Sequence, residues 1–240
     1  MVANVVLREE NALAQPAPSP GRDEVLARYR HLREISRRHN DNAMNFLPKG
    51  AILQNARRLG LADGKTFVLD SMDELTLAFD LSIYTAPADR SRAIDRYAGS
   101  AKLDPGSDEA NVLKAMRNAH FAIVMVERRH DAAGLIVTDL LRNIEFWLVD
   151  EGLETSLPDG TAFATRYYTP DRFSMTAGVV MPVDQHLLET AIESMPHRLR
   201  KSVEETLGDR RFAEAIYRAG IAAGITANIR YEDPESIAEM

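Results

Sequence analysis

Arginine is the side chain whose spacing in this sequence most suggests chemistry. Arg30, Arg33 and Arg37 recur at i, i+3 and i+7, along one face of a helix, and Arg38 adjoins them. Only Glu34 and Asp41 lie close enough in sequence to neutralise the group. A guanidinium grips carboxylate or phosphate through a planar fork of donors, so this face can dock on its own acidic body or meet an anionic partner. A second cluster, Arg90, Arg92 and Arg96, is interleaved with Asp89 and Asp95. It reads as a salt-bridged helix surface or, alternatively, as an anion or phosphate contact.

Other chemistry is harder to find. Gly60-Leu-Ala-Asp-Gly64-Lys65-Thr66 resembles a phosphate-binding P-loop but is one residue short, and its context is reversed: a helix precedes it and an extended apolar run follows. It reads as a helix C-cap and polar turn. The six histidines form no helix-face ligand pair, and no G-x-S-x-G elbow is present. Asp139, Glu145, Asp150, Glu151 and Glu154 cluster in one region, where a pair flanking a cleft could serve as general acid and base. Asp139, between apolar runs, reads as a turn cap bonding its own backbone amides. No catalytic residue, cofactor site or metal site is assigned.

These groups must be carried by 240 residues, 45% apolar and 27% charged, a length that suits one large domain or two small ones. With no cysteine there are no disulfides, thiolate zinc sites or cysteine nucleophile. That suits a reducing cytosol, and a cytoplasmic location is expected. The start of the chain lacks the pattern of a signal peptide, and no run of about 18 apolar residues is present to span a membrane. The net charge of −7 hides an asymmetry. Residues 22–58 hold nine Lys/Arg against four Asp/Glu, so a basic arm adjoins an acidic body.

The pattern predicts an α+β protein in four parts. Residues 1–21 end in the Pro-rich AQPAPSPG and form a disordered segment. Residues 22–119 are helical. Helices are expected over 23–42 (Leu26, Tyr29, Leu32 and Ile35 on one stripe), 51–59, 72–84 with Ser71 and Glu74 as a capping box, 89–103 and 108–119. From His120 to residue 183 five runs rich in β-branched and aromatic residues are separated by turn signals, which suggests a small antiparallel β-barrel-like module. Residues 184–240 return to helices at 184–193, 197–207 and 209–223, before an acidic tail. The strands carry Phe146, Trp147, Phe163, Tyr167, Tyr168 and Phe173, and aromatics on a small barrel can stack bases.

The strand region is similar to the small β-barrel segment of some bacterial proteins that carry a SecA-type C-terminal zinc motif (SEC-C proteins). The shared pattern is Asp139-Leu140-Leu141, the run 144–149, Asp150-Glu151, then Gly160, Ala164 and Arg166. The zinc motif is absent. The resemblance implies a barrel and carries over no catalytic residue; the remainder resembles an uncharacterised bacterial family.

These observations favour a non-enzymatic binding or adaptor protein. It would contact another macromolecule, a protein partner or a second copy, through the basic helix (Arg30, Arg33, Arg37, Arg38) and the strand module (Trp147, Arg166). An RNA or single-strand binder and a carboxylate-dependent hydrolase using Asp139 and Asp150 are the alternatives.

Overall fold

The computed structural model describes residues 21–87, 89–197, 206 and 209–225. Helix α1 (Arg22–Met44) buries the stripe Val25, Leu26, Tyr29, Leu32 and Ile35 expected of it, together with His39 and Ala43. It packs on α4 (Ala93–Ser100) and α5 (Asp108–Arg117), and Ile94, Tyr97, Val112, Leu113 and Met116 share its core. Helix α2 (Ala51–Leu59) stops at Gly60, whose φ of 84° lies in the left-handed region that favours glycine. The P-loop-like motif is therefore this cap plus the hairpin of β1 (Ala62–Asp63) and β2 (Thr66–Phe67), turning through Gly64 and Lys65.

Helix α3 (Glu74–Tyr84) starts two residues later than the sequence predicts, and the capping box does not form. The Glu74 amide bonds the Ser71 carbonyl at 3.3 Å, and the next two amides repeat that tight pattern. The Ser71 hydroxyl has no amide left to cap and stays buried without a hydrogen-bond partner. Glu74 reaches back, as expected, but to the Asp70 amide at 2.9 Å.

Five antiparallel strands follow: β3 (His120–Arg129), β4 (Leu135–Asp139), β5 (Ile144–Leu148), β6 (Ala162–Tyr168) and β7 (Met175–Pro182). Their order is β5-β4-β3-β6-β7. The sheet is not closed into a barrel, which corrects the expectation. Its edges, β5 and β7, meet only at one corner, through a single parallel bridge between Leu148 and Ser174. Irregularities at Val126/Arg128 in β3 and Thr165/Tyr167 in β6 increase the curl without completing it. The curled face still encloses a core of Ala122, Val124, Val126, Leu135, Val137, Leu148 and Phe163. Gly134 (φ 81°) makes the tight β3–β4 turn possible, since a Cβ there would sit 2.4 Å from the Leu148 carbonyl oxygen.

A short helix absent from the sequence reading, α6 (Glu151–Ser156), fills the β5–β6 connection. It is capped by Asp150, whose carboxylate accepts from the Leu153 amide. On the outer face of the sheet, Phe121, Ile123, Ala164, Val179 and Met181 pack against α2, α3, α7 (Gln185–Ser194) and α8 (Arg210–Ala222). Phe212 and Tyr217 of α8 meet Phe121 edge-on at 5.6 and 5.5 Å. These contacts fix the first turn of α8 beside the start of β3. The segment expected to be disordered, the acidic tail and nearly all of the helix expected over 197–207 lie outside the described residues.

Candidate anion-binding cleft

The basic face of α1 is turned onto the protein's own body. Arg33, with its side chain 15% exposed, donates to Asp150 (2.9 Å), to the Thr176 carbonyl (2.6 Å) and to the Thr176 hydroxyl (2.9 Å). Arg30 forks onto Glu151, and Arg38 lies 3.5 Å from Glu109. Arg28 bridges Asp108 and Asp171, and Arg22 pairs with Glu154. Arg37 alone of the predicted set makes no hydrogen bond or ion pair. The basic arm and acidic body are thus two halves of one intramolecular interface.

The predicted strand-module residues also have internal partners. Trp147 donates Nε1–H to the Ala133 carbonyl at 2.7 Å and stacks on His130 at 3.9 Å. Asp139 caps its turn as expected: Oδ1 accepts from the Leu141 and Arg142 amides (3.0 and 3.1 Å), and Oδ2 pairs with Arg142 (2.6 Å). Asp139 and Asp150 stand at opposite ends of the β4–β5 hairpin: four rungs, about 13 Å, separate the Asp139 rung from the Leu148 rung, Asp150 lies two residues beyond Leu148, and each carboxylate is occupied by an arginine. Among the described residues no group of three His, Asp or Glu side chains is arranged to hold a metal ion.

Arginines gather instead in a cleft of about 920 Å³. Arg90 and Arg92 reach it from the α3–α4 loop, Arg117 from the end of α5, and Arg142 from the β4–β5 turn. Arg166 comes from β6, and Arg210 and Arg211 from the first turn of α8. Among the described residues Asp209 is the one carboxylate in the lining. A smaller pocket continues the cleft, sharing Arg90 and Arg210 and adding Lys49, Arg58, Arg96 and one carboxylate, Asp89.

Three of these guanidiniums are held in the same way. Arg92 on Asp95 (2.7 and 2.9 Å), Arg166 on Asp80 (2.8 and 3.0 Å) and Arg211 on Asp209 (2.8 and 2.6 Å) each bond through Nε and Nη2. In each pair Nη1 is left over. A side-on pair fixes the plane of the guanidinium while leaving a donor edge for a ligand, so the orienting entropy is spent on folding rather than on binding. The guanidiniums of Arg90 and Arg210 make no hydrogen bond or ion pair among the described residues. Among the described residues, seven guanidiniums therefore face the four carboxylates of Asp80, Asp95, Asp139 and Asp209, an excess of positive charge.

Arg166 is the most buried arginine of this lining, its side chain only 6% exposed. Burial opposes its charge, but the Asp80 carboxylate and the Tyr217 and Tyr84 oxygens outweigh that and raise its pKa. Tyr217 of α8 donates to Asp80 at 3.0 Å, and the Tyr84 and Phe121 rings lie 5.1 and 5.6 Å from the guanidinium carbon. His120 also lines the cleft, and burial with Arg142 nearby lowers its pKa, so it is neutral at pH 7. The bond from Arg211 holds the Asp209 carboxyl below its ordinary range. Burial works against ionised Asp95, yet the bonds from Arg92 and Arg117 hold it low as well.

The sequence reading named Arg166, and it weighed an anion contact for Arg90, Arg92 and Arg96. It missed Arg117, Arg142 and the pair Arg210 and Arg211, which come from three separate elements. The only local signal was the doublet Arg210-Arg211 following the N-cap residue Asp209.

Compared with known proteins, residues 23–230 match a family of unknown function, DUF7986. No curated protein and no solved structure matches the chain. The match shows no relationship to SEC-C proteins, and the uncharacterised family is what remains of the expected resemblance. The arginine-lined cleft and the sheet that supports it lie within the matched residues, and the chain belongs to this DUF7986 family.

Proposed function

We propose that the protein binds single-stranded nucleic acid, with the arginine cleft and its continuation following the phosphate backbone. The observation that carries this reading is the convergence of seven arginines on one concave surface in a chain of net charge −7. Electrostatic self-repulsion makes such a cluster unfavourable unless an anion covers it. The adjoining pocket lengthens the basic surface past Arg90 and Arg210 to Arg58, Lys49 and Arg96, as a polymeric anion requires. Tyr84, Phe121 and Phe212 are buried beneath the cleft rather than offered as stacking platforms. Binding then rests on phosphate contacts and guanidinium planes and tolerates many sequences. We place the binding role expected of the basic helix in this cleft, because the α1 arginines other than Arg37 are engaged within the fold.

The test is fluorescence anisotropy with a labelled single strand across a salt series. Neutralisation of about four phosphates gives a log–log salt slope near −3. Replacing the two unpartnered arginines, Arg90→Glu with Arg210→Glu, should weaken binding roughly 100-fold while leaving the thermal midpoint unchanged, since neither holds the fold together. A flat salt slope, or a double variant that binds as well as the parent, overturns the reading. Displacement of the strand by polyglutamate at equal charge concentration would assign the cleft to an acidic protein instead.

A further inference from the structure

The depth of Arg166 restricts what can reach it. The residue lines the cleft, yet its side chain is 6% exposed, with Nε and Nη2 consumed by Asp80 and aromatic rings of Tyr84 and Phe121 beside it. Of its three nitrogens only Nη1 has no hydrogen-bond partner. Close by, Arg142 is tied down through Nη1 to Asp139 and the Phe121 carbonyl, which leaves its Nε and Nη2. Neutral His120 adds a third polar group to the same part of the lining. Arg90 and Arg210, without partners, belong both to this cleft and to its shallower continuation.

An internal phosphodiester is flanked on both sides by sugars. Its two free oxygens lie along the strand and meet the outer surface of a groove. A terminal phosphate projects from the strand, has three unesterified oxygens and carries about −1.5 to −2 charge at pH 7. It alone has the reach for a recessed guanidinium and the acceptors to occupy several donors at once. Burial sharpens the discrimination, because a buried cationic donor interacts in a lower dielectric than an exposed one.

Resting on the nucleic-acid reading above, we infer that the floor of the cleft, built from Arg166 and Arg142, is a phosphomonoester site that seats the terminal phosphate of a single strand. The rest of the strand leaves past Arg90 and Arg210 toward Arg58 and Lys49.

The experiment compares three labelled strands of one sequence on the full-length protein: 5′-phosphorylated, 3′-phosphorylated and hydroxyl at both ends. One phosphorylated strand should bind roughly tenfold tighter than the hydroxyl strand, and inorganic phosphate should compete away that advantage and little else. Equal binding of all three strands overturns this inference and leaves the nucleic-acid reading intact. Failure of every strand to bind overturns both. A nucleoside monophosphate that binds as tightly as the phosphorylated strand overturns the strand assignment in favour of a small phosphorylated ligand. The double variant Asp80→Leu with Arg166→Met replaces the buried pair by apolar side chains. If it keeps its thermal transition, it should bind all three strands equally; retained preference removes Arg166 from the site.

Discussion

Asp80→Asn is the most informative single substitution for stability. The Asp80 side chain is 2% exposed and accepts three bonds: from Arg166 Nε at 2.8 Å, from Arg166 Nη2 at 3.0 Å and from the Tyr217 hydroxyl at 3.0 Å. The asparagine keeps the size but removes the charge and turns one acceptor into a donor. Arg166 is then left as a buried cation with no counter-charge, which costs about 3–5 kcal/mol. For a domain of this size a urea m-value of about 2.5 kcal/mol/M is reasonable, so a loss of about 4 kcal/mol lowers the midpoint by about 1.5 M. Unfolding can be followed through Trp147, the only tryptophan, whose indole stacks on His130 and meets Phe173 edge-on. The Asp80→Leu, Arg166→Met pair should recover part of the loss, because an apolar replacement leaves no uncompensated buried charge, while the Tyr217 hydroxyl gives up its bond to Asp80. A midpoint shift below about 0.4 M for Asp80→Asn would mean that Arg166 finds water or another acceptor, and the argument for a recessed, pre-oriented guanidinium would fall with it.

Two further outcomes follow from the same physics. Arg33→Ala should destabilise the protein by about 2–3 kcal/mol, because it removes the counter-charge of Asp150 and the donor to the Thr176 carbonyl in a partly buried interface, whereas Arg37→Ala should stay within about 0.5 kcal/mol; equal urea midpoints for the two variants would refute the docked-arm account. Burial lowers the pKa of His39 from its ordinary 6.5, and its Nε2–H donates to the Glu109 carbonyl while Nδ1 accepts from Tyr97, so the folded state holds it neutral. The unfolded chain therefore binds protons first, and stability falls as pH drops below about 6.5, levelling off beneath the folded pKa. His120 and His130 are shifted the same way, so His39→Gln should flatten part of the slope between pH 7.5 and 5 rather than all of it. An unchanged slope in a series of urea midpoints would show that His39 is not buried neutral.

Local pattern made most of the elements legible. The stripe Leu26, Tyr29, Leu32 and Ile35 marked the buried face of α1, and the left-handed residue Gly60 marked the end of α2. The alternation in 144–148 and the turn residues between apolar runs marked the five strands. These signals survive because periodicity and glycine geometry act within a few residues. The capping box at Ser71 failed for an equally local reason, since a tighter turn had already taken the amide it needed. Whether the sheet closed was a different kind of question. Closure depends on strand number, stagger and twist together, and one bridge at Leu148–Ser174 is all that the edges achieve.

What the sequence determined by itself was the supply of charges and the elements that carry them: a basic helix, an acidic body and a scatter of single arginines. Only the tertiary structure decided which charges neutralise one another. Arg33 is 117 residues from Asp150 and Arg166 is 86 from Asp80, so neither pairing leaves a trace in local spacing. The conspicuous cluster on α1 was, apart from Arg37, taken up by docking, because its helix had to bury an apolar stripe and Arg30, Arg33 and Arg38 came down on the carboxylates around it. Arginines with no visible grouping in the chain converged on the cleft, because packing α8 against Phe121 brought five separate segments to one place.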